Sequence, residues 1–422
     1  MDYVFDTLDL SDDSPEAVAR REAWLGAVER AFHGARPSSE HIAHWLSGAR
    51  ADGAVCRGAW LPEGEFGAGP APVATFVSFD KTINAGHDLL PVRMISDVSA
   101  SPTHRRRGLV RTMMESDLAD AATRGIPLAA LTASEATIYG RWGFGPATFV
   151  RTFELDTGPR FGLRGFTDPG RVELVEPAEA WPHISQVFEQ VHRTRRGSID
   201  RPSFYEVLHT GAYDLADGGP AKKLRGAVHL DTRGAADGVV LYQFDGSDAE
   251  KPAVAVHELL AAGAGAGLAL WNFLAHIDLS HRVVWKFGDP SDPLPWALTD
   301  LNALAVKAER EFLWLRVLDV QRVLTARPWT ADGAVILEVE DAQGHAAGTY
   351  AIETLAGRAT VARTTDRPEV TVTAETLATL CLGAVSVTDL AAAGRVAGAP
   401  DAVGRFAAMA DRTDRPYTST FF

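Results

Sequence analysis

Apolar positions in the first 156 residues switch between two periods. Ala23–Phe32 and His41–Leu46 have the spacing of helices, whereas Ala54–Trp60 and Val73–Ser78 are short β-type runs bounded by Gly- and Pro-rich turns. Leu90–Ala100 is a longer extended run that leads into a basic, glycine-containing loop. In Leu109–Ala122 the apolar residues Val110, Met113, Met114, Leu118 and Ala121 share one helical face, and Gly125 ends the helix. Ile126–Thr132 is a short apolar strand, after which Ser134 is placed to cap a further helical turn.

Gly, Pro and charged residues cluster over Asp156–Gly170 and again at Asp289–Pro293, marking breaks. Between them helices are expected at Ala178–Arg193 and Gly267–Ile277, and strands at Gly238–Phe244 and Ala253–Leu260. Beyond them come short strands at Ala334–Val339, Thr349–Glu353 and Ala359–Ala362, then helices at Ala374–Leu382 and Ser386–Ala393. The end, Tyr417–Phe422, has the apolar, threonine-containing pattern of a strand. A chain of 422 residues exceeds one ordinary core, and these breaks divide it into 1–158, 159–296 and 297–422. The fold class is mixed α/β.

Composition narrows the partners. A formal charge of −14 argues against nucleic acid, whose phosphates require basic patches, and suits a cationic small molecule. No segment reaches the roughly 20 apolar residues of a membrane span, and the acidic start Met1–Asp6 lacks a secretion signal's order. Cys56 and Cys381 form no CxxC pair, and the histidines, His104 and His192 among them, have no metal-ligand spacing. The expectation is a cytoplasmic protein without a metal or a membrane.

Candidate chemistry concentrates between Val98 and Gly145. The stretch Val98-Ser99-Ala100-Ser101-Pro102-Thr103-His104-Arg105-Arg106-Arg107-Gly108-Leu109-Val110 joins a strand to an amphipathic helix. Unpaired N–H groups at a helix start, the helix dipole, a glycine that permits close approach and three arginines together make a polyphosphate site. The Lys-Ser/Thr ending of a P-loop is missing. Alone, the arginines read equally well as a solvated basic turn. The second motif, about 30 residues on, decides between the two: Tyr139-Gly140-Arg141-Trp142-Gly143-Phe144-Gly145.

In this order, with strand and helix between them, the two motifs resemble those of the GNAT superfamily of acetyltransferases. There the first motif reads Arg/Gln-x-x-Gly-x-Gly/Ala, and here Arg105, Gly108 and Val110 hold its three positions, Val110 departing from the usual small residue. His104–Leu109, Ser134–Thr148 and the terminal Phe421-Phe422 further resemble the Eis (enhanced intracellular survival) family over essentially the whole chain. That resemblance implies two tandem GNAT-like domains followed by a sterol-carrier-protein-like α+β domain, assembled as a homohexamer. It also implies acetylation, from acetyl-CoA, of amines on aminoglycoside antibiotics or of lysine side chains.

Carried over by position, Val98, Ser99 and Ala100 would bond the pantetheine through their backbone, one N–H facing the thioester oxygen. Arg105, Arg106, Arg107, Gly108, Leu109, Val110 and Arg111 would cradle the pyrophosphate, and Ser134 and Glu135 would touch the cofactor across the cleft. Tyr139 would be the general acid for the departing thiolate, since a phenol is protonated at neutral pH. The α-carboxylate of Phe422 would be the base; with an ordinary pKa near 3.3–3.7 it needs burial or a water relay, or else serves to orient a cationic amine.

Weaker signals surround these. Phe32 and Trp45 are candidates to line an amine pocket, and Asp97 or Glu40 to attract cations. The glycine-rich turn before Gly267 mimics the first site without any cation, so the central domain is expected to lack cofactor. Neither cysteine lies in a motif, which disfavours a covalent enzyme intermediate. Two further readings are a CoA-binding regulatory pseudoenzyme and a lipid-binding or scaffolding protein acting through the C-terminal domain.

Overall fold

A computed structural model describes residues 2–133, 135–215, 218–248 and 250–422; Ser134 lies outside them. Three sheets carry the chain. The first runs Val4–Thr7, Val55–Trp60, Ala74–Asn84, Leu89–Ala100, Leu128–Thr132, Leu313–Val317 and Gly145–Pro146 in spatial order. The second, also seven-stranded, runs Leu304–Glu311, Phe149–Asp156, Arg282–Gly288, Ala253–Ala261, Ala236–Asp245, Arg225–Leu230 and Arg171–Val175. The third has five strands, Arg358–Arg363, Gly348–Leu355, Gly333–Glu340, Val370–Thr373 and Val396–Gly398.

The sheets cross the divisions at 158 and 296. Phe149–Asp156 pairs with Arg282–Gly288 and Leu304–Glu311 in the second sheet. Leu313–Val317 returns to the first sheet and pairs antiparallel with Leu128–Thr132. Gly/Pro clusters mark loops, whereas sheet membership follows from which strand satisfies the backbone donors, wherever it lies in the chain.

Helices Pro15–Ala31 and Ser39–Ala51 cover one face of the first sheet, each capped by the serine before it, Ser14 and Ser38. Trp24 is fully buried there, donates its indole N–H to the Arg57 carbonyl at 2.8 Å, and stacks on Trp45 at 5.5 Å. Helix Leu109–Thr123 covers the other face through Leu109, Met113, Met114, Leu118 and Ala121. One apolar core joins the third domain to the first sheet: Val335, Leu337, Tyr350 and Phe406 pack with Met94, Leu128 and Leu315. Residues 413–422 form no ladder, contrary to the expected terminal strand. Hydrogen bonds through the hydroxyls of Tyr205, Tyr417, Thr418 and Ser419 hold that segment instead.

The third domain also presses on the loop after Tyr139. A Cβ on Gly145 would lie 2.2 Å from the Glu375 carbonyl oxygen and 2.5 Å from the Thr379 hydroxyl. Gly145→Ala should therefore lower Tm by several degrees, an overpacking cost of about 1–3 kcal/mol. Gly263→Ala, where the added carbon meets nothing within 4 Å, should leave Tm unchanged in the same calorimetric scan.

Candidate active site

The first sheet opens where its parallel pair ends. Val92–Met94 pair with Leu128–Ala130, and beyond them Ile95–Ala100 and Leu131–Thr132 diverge. A bulge sits at the divergence: Thr75 opposes Ser99 and Val77 opposes Ser96, so Asp97 and Val98 share one facing residue. Asp97 takes up the extra length with φ of 51°, and the Thr75 hydroxyl fixes its carbonyl at 2.7 Å. Val98 and Ala100 pack with the core cluster that contains Tyr139, while Ser99 meets the Thr75 hydroxyl at 2.6 Å.

The strand leads to the start of helix Leu109–Thr123. Gly108 has φ of 82°, no side chain caps the helix, and a Cβ on Gly108 would meet nothing within 4 Å. Buried Leu109 anchors this end. Its first intrahelical amide bond is Thr112 N–H to the Gly108 carbonyl, so the amides of Leu109, Val110 and Arg111 point out of an open backbone. Arg105, Arg106, Arg107 and Arg111 are exposed, and none forms an ion pair among the described residues. Arg107 donates to the Tyr3 hydroxyl at 3.0 Å, which meets His104 Nδ1 at 2.9 Å. Free amides, a positive helix end and unpaired guanidinium groups suit the pyrophosphate of a CoA thioester. Replacing Arg105 and Arg106 with alanine should raise KM for acetyl-CoA at least 10-fold, the order expected for lost charge-assisted hydrogen bonds. Initial-rate kinetics should find kcat within two-fold and the wild-type KM rising with salt.

Tyr139 is buried, its ring packed 6.3 Å from both Trp142 and Phe144. Its hydroxyl has no hydrogen bond among the described residues. Burial first, and the nearby Glu135 charge second, push its phenol above the ordinary range. Glu135 itself is exposed. The turn that follows is clamped: a Cβ on Gly143 would lie 2.8 Å from Arg316 Nη1 and 3.0 Å from the Ala374 side chain. Arg316 is fully buried and paired to Asp341 at 2.6 Å.

The chain terminus arrives at the same cleft. The Thr132 hydroxyl, at the end of a diverging strand, donates to the main-chain oxygen of Phe422 at 2.6 Å, and the Phe422 ring meets Phe79 at 6.4 Å. On the sheet face covered by the first two helices, Asp97 carries a carboxylate without hydrogen bond or ion pair among the described residues. Burial, reinforced by the Glu29 charge, raises its pKa to about 6. Glu29 lies 3.7 Å from His41 Nε2, and His41 and His44 flank the Tyr213 ring at 5.4 and 5.5 Å. Phe32 is exposed nearby in sequence, Glu40 sits 3.9 Å from His44, and Trp45 is committed to its stack on Trp24.

Glu29, His41, Thr132, Tyr213 and Arg316 were not singled out by the sequence. Each lies in an ordinary amphipathic or apolar stretch, and only Thr132, adjoining the second motif, had a nearby signal. Both cysteines are free and buried; burial raises the Cys56 thiol and pushes Cys381 up to about 12. Among the described residues no group of three or more His, Cys, Asp or Glu is placed to hold a metal, and no helix is long and apolar enough to cross a membrane.

Similarity to known proteins agrees with this geometry. Residues 19–147 and 197–323 each match an acetyltransferase (GNAT) domain, and 320–419 match a sterol carrier protein domain. The N-acetyltransferase Eis of Mycobacterium tuberculosis is 33% identical over 343 residues, 78% of this chain and 81% of its own. An uncharacterized N-acetyltransferase of Streptomyces avermitilis is 36% identical over 360 residues, 83% of this chain and 86% of its own. The crystal structure of Eis1 from Mycobacterium abscessus superposes with a TM-score of 0.81 at 26% identity, covering 100% of both chains. With two GNAT domains, a sterol-carrier-type third domain and an open cleft between diverging strands, the chain belongs to the Eis family of GNAT N-acetyltransferases.

Proposed function

We propose that this acetyltransferase moves an acetyl group directly from acetyl-CoA to a primary amine of an aminoglycoside-type or other polyamine substrate, lysine side chains included. The observation that carries this reading is the carboxylate of Phe422 held by Thr132 at the mouth of the first-sheet cleft. A free carboxylate there, with Asp97 and Glu29 on the acceptor side, suits an acceptor bearing several positive charges.

Backbone N–H groups at Val98, Ser99 and Ala100 hold the pantetheine arm, and one stabilises negative charge on the acetyl oxygen. Amides and guanidinium groups of Arg105–Arg111 bind the pyrophosphate, with Glu135 on the facing wall. The Phe422 carboxylate orients the amine and receives its proton, directly or through water, as the new C–N bond forms. Tyr139 donates its proton to sulfur as the C–S bond breaks. The buried cysteine thiols, held protonated, are unsuited to carry the acetyl group. We place this chemistry in a cytoplasmic homo-oligomer, a hexamer by family resemblance, which mass photometry would count.

The test is thiol release from acetyl-CoA in the presence of kanamycin, spermidine or a lysine peptide. Release with kanamycin or spermidine supports the reading. No release with any amine, under conditions where CoA binding is measured, overturns the proposed acceptor class.

A further inference from the structure

The second sheet repeats the geometry of the first. Ala253–Val256 pair in parallel with Arg282–Trp285, and the two strands then separate from each other, each keeping its outer partner to Ala261 and Gly288. A register shift lies at this point too, with Leu241 facing Glu258 and Tyr242 facing Val256. In the first sheet the equivalent divergence is the cleft assigned to the pantetheine arm. In the second sheet the diverging strands bind the chain's own C-terminal segment.

The contacts come from both strands. The Tyr417 hydroxyl donates to the Phe287 carbonyl at 2.5 Å, and the Ser419 hydroxyl donates to Glu258 Oε1 at 3.2 Å. Glu258 is 2% exposed and ion-paired with buried Arg201. The Tyr417 N–H bonds the Arg196 carbonyl at 2.9 Å. The Tyr205 hydroxyl accepts from the Phe421 N–H at 2.9 Å and faces the Phe421 carbonyl at 3.5 Å. The Phe421 ring stacks on Phe287 at 6.4 Å and meets Tyr205 at 5.7 Å. Thr418 and Thr420 are buried. One residue past Tyr205's grip, the carboxylate of Phe422 reaches Thr132 in the first sheet.

We infer that the cleft of the central GNAT domain is a receptor for the enzyme's own C-terminus, with Tyr205 and Glu258 as positioning residues that set the Phe422 carboxylate for turnover. The inference rests on the catalytic use of that carboxylate proposed above. It gives the central domain a part in the reaction without a second acetyl-CoA. A terminal segment otherwise frays readily; buried hydroxyl and ring contacts to two diverging strands restrict it to one path.

Tyr205→Phe removes both hydrogen bonds to Phe421 and keeps the ring. Measured with acetyl-CoA and the best acceptor of the amine panel, it should lower kcat about five-fold, the order of one lost hydrogen bond. KM for acetyl-CoA should stay within two-fold. Carboxypeptidase A should release Phe422 several-fold faster from the variant than from the wild type, a readout that needs no acceptor. Ser419→Ala should move both measurements in the same direction. In a chain lacking Phe422, Tyr205→Phe should cause no further loss of kcat.

Wild-type kcat and wild-type resistance to carboxypeptidase in both variants would overturn the inference. So would an undiminished effect of Tyr205→Phe in the chain lacking Phe422, which would mark Tyr205 as structural. If deleting Phe422 leaves kcat unchanged, the underlying reading of the carboxylate fails. If the deletion is costly but Tyr205→Phe is silent, the positioning inference alone fails.

Discussion

Tyr139→Phe should lower kcat about 100-fold or more, the loss expected when a positioned general acid is removed, while the Kd for CoA stays within two-fold. The ring remains, so its packing on Trp142 and Phe144 is kept and Tm should shift by no more than a degree or two. Because burial and the Glu135 charge raise the phenol's pKa, wild-type Tyr139 keeps its proton to higher pH than an ordinary tyrosine does. Any alkaline fall in kcat assigned to Tyr139 therefore lies above the ordinary tyrosine range, and a pH–rate profile followed by thiol release checks it. Unchanged turnover in Tyr139→Phe would remove this residue from the acid role.

Asp97→Asn should stabilise the fold while weakening the acceptor site. Asparagine tolerates the left-handed backbone that the bulge imposes. The folded pKa of Asp97 is about 6, against an ordinary value of 3.8. A raised carboxylate pKa means that the folded state binds the proton more tightly than the unfolded chain does. Below the ordinary value both states are protonated and the carboxyl costs nothing. From there to about pH 6 the cost grows, and above pH 6 it is constant at about 1–3 kcal/mol, taking partial exposure into account. Denaturant unfolding should therefore show Asp97→Asn more stable than wild type at pH 8 and equal to it at pH 3. The ionised carboxylate is also what a cationic acceptor would recover, so the variant should raise acceptor KM about 10-fold at pH 8. In the wild type, acceptor KM should rise as pH falls through 6. Equal acceptor KM in variant and wild type would exclude Asp97 from amine recognition.

Both substitutions act within 45 residues of sequence, yet their surroundings come from all three domains. Arg316 and Ala374 press on the Gly143 turn that follows Tyr139, so changes in the third domain can reach Tyr139. Arg93, 1% exposed, joins Asp80, Asp117 and Asp120 behind the cleft strand, which helps to keep that strand in register.

The short-range features were legible in the sequence because they rest on consecutive residues. The basic turn at Arg105–Gly108 needs only a strand before it and a helix after it. Tyr139 was identifiable because Gly143-Phe144 follow it at fixed spacing. Element ends were less legible. Helix Pro15–Ala31 begins eight residues before the expected Ala23, since Glu16, Arg20 and Glu22 lie on its outer face and lack apolar periodicity, while Ser14 and Pro15 start it. Strand Ala74–Asn84 runs past the expected Ser78 through Asp80, Lys81 and Thr82, whose polarity is satisfied by Arg93 and Asp52 and by pairing with Leu89–Ala100. Charged Leu304–Glu311, an exposed edge of the second sheet, has no strand pattern of its own.

By itself, then, the sequence determined the family, the order of its domain types and the position of the basic turn before helix Leu109–Thr123, all encoded in contiguous stretches. Only the tertiary structure decided which sheet each crossing strand joins, that Asp97 has no ion pair among the described residues, and that Tyr417, Ser419 and Phe421 bond to the central domain. Those outcomes depend on hydrogen-bond partners and burial between residues hundreds of positions apart, such as Thr132 with Phe422 and Tyr205 with Phe421. No local periodicity records such pairings, because they exist only when separate elements pack and leave each polar group a single partner.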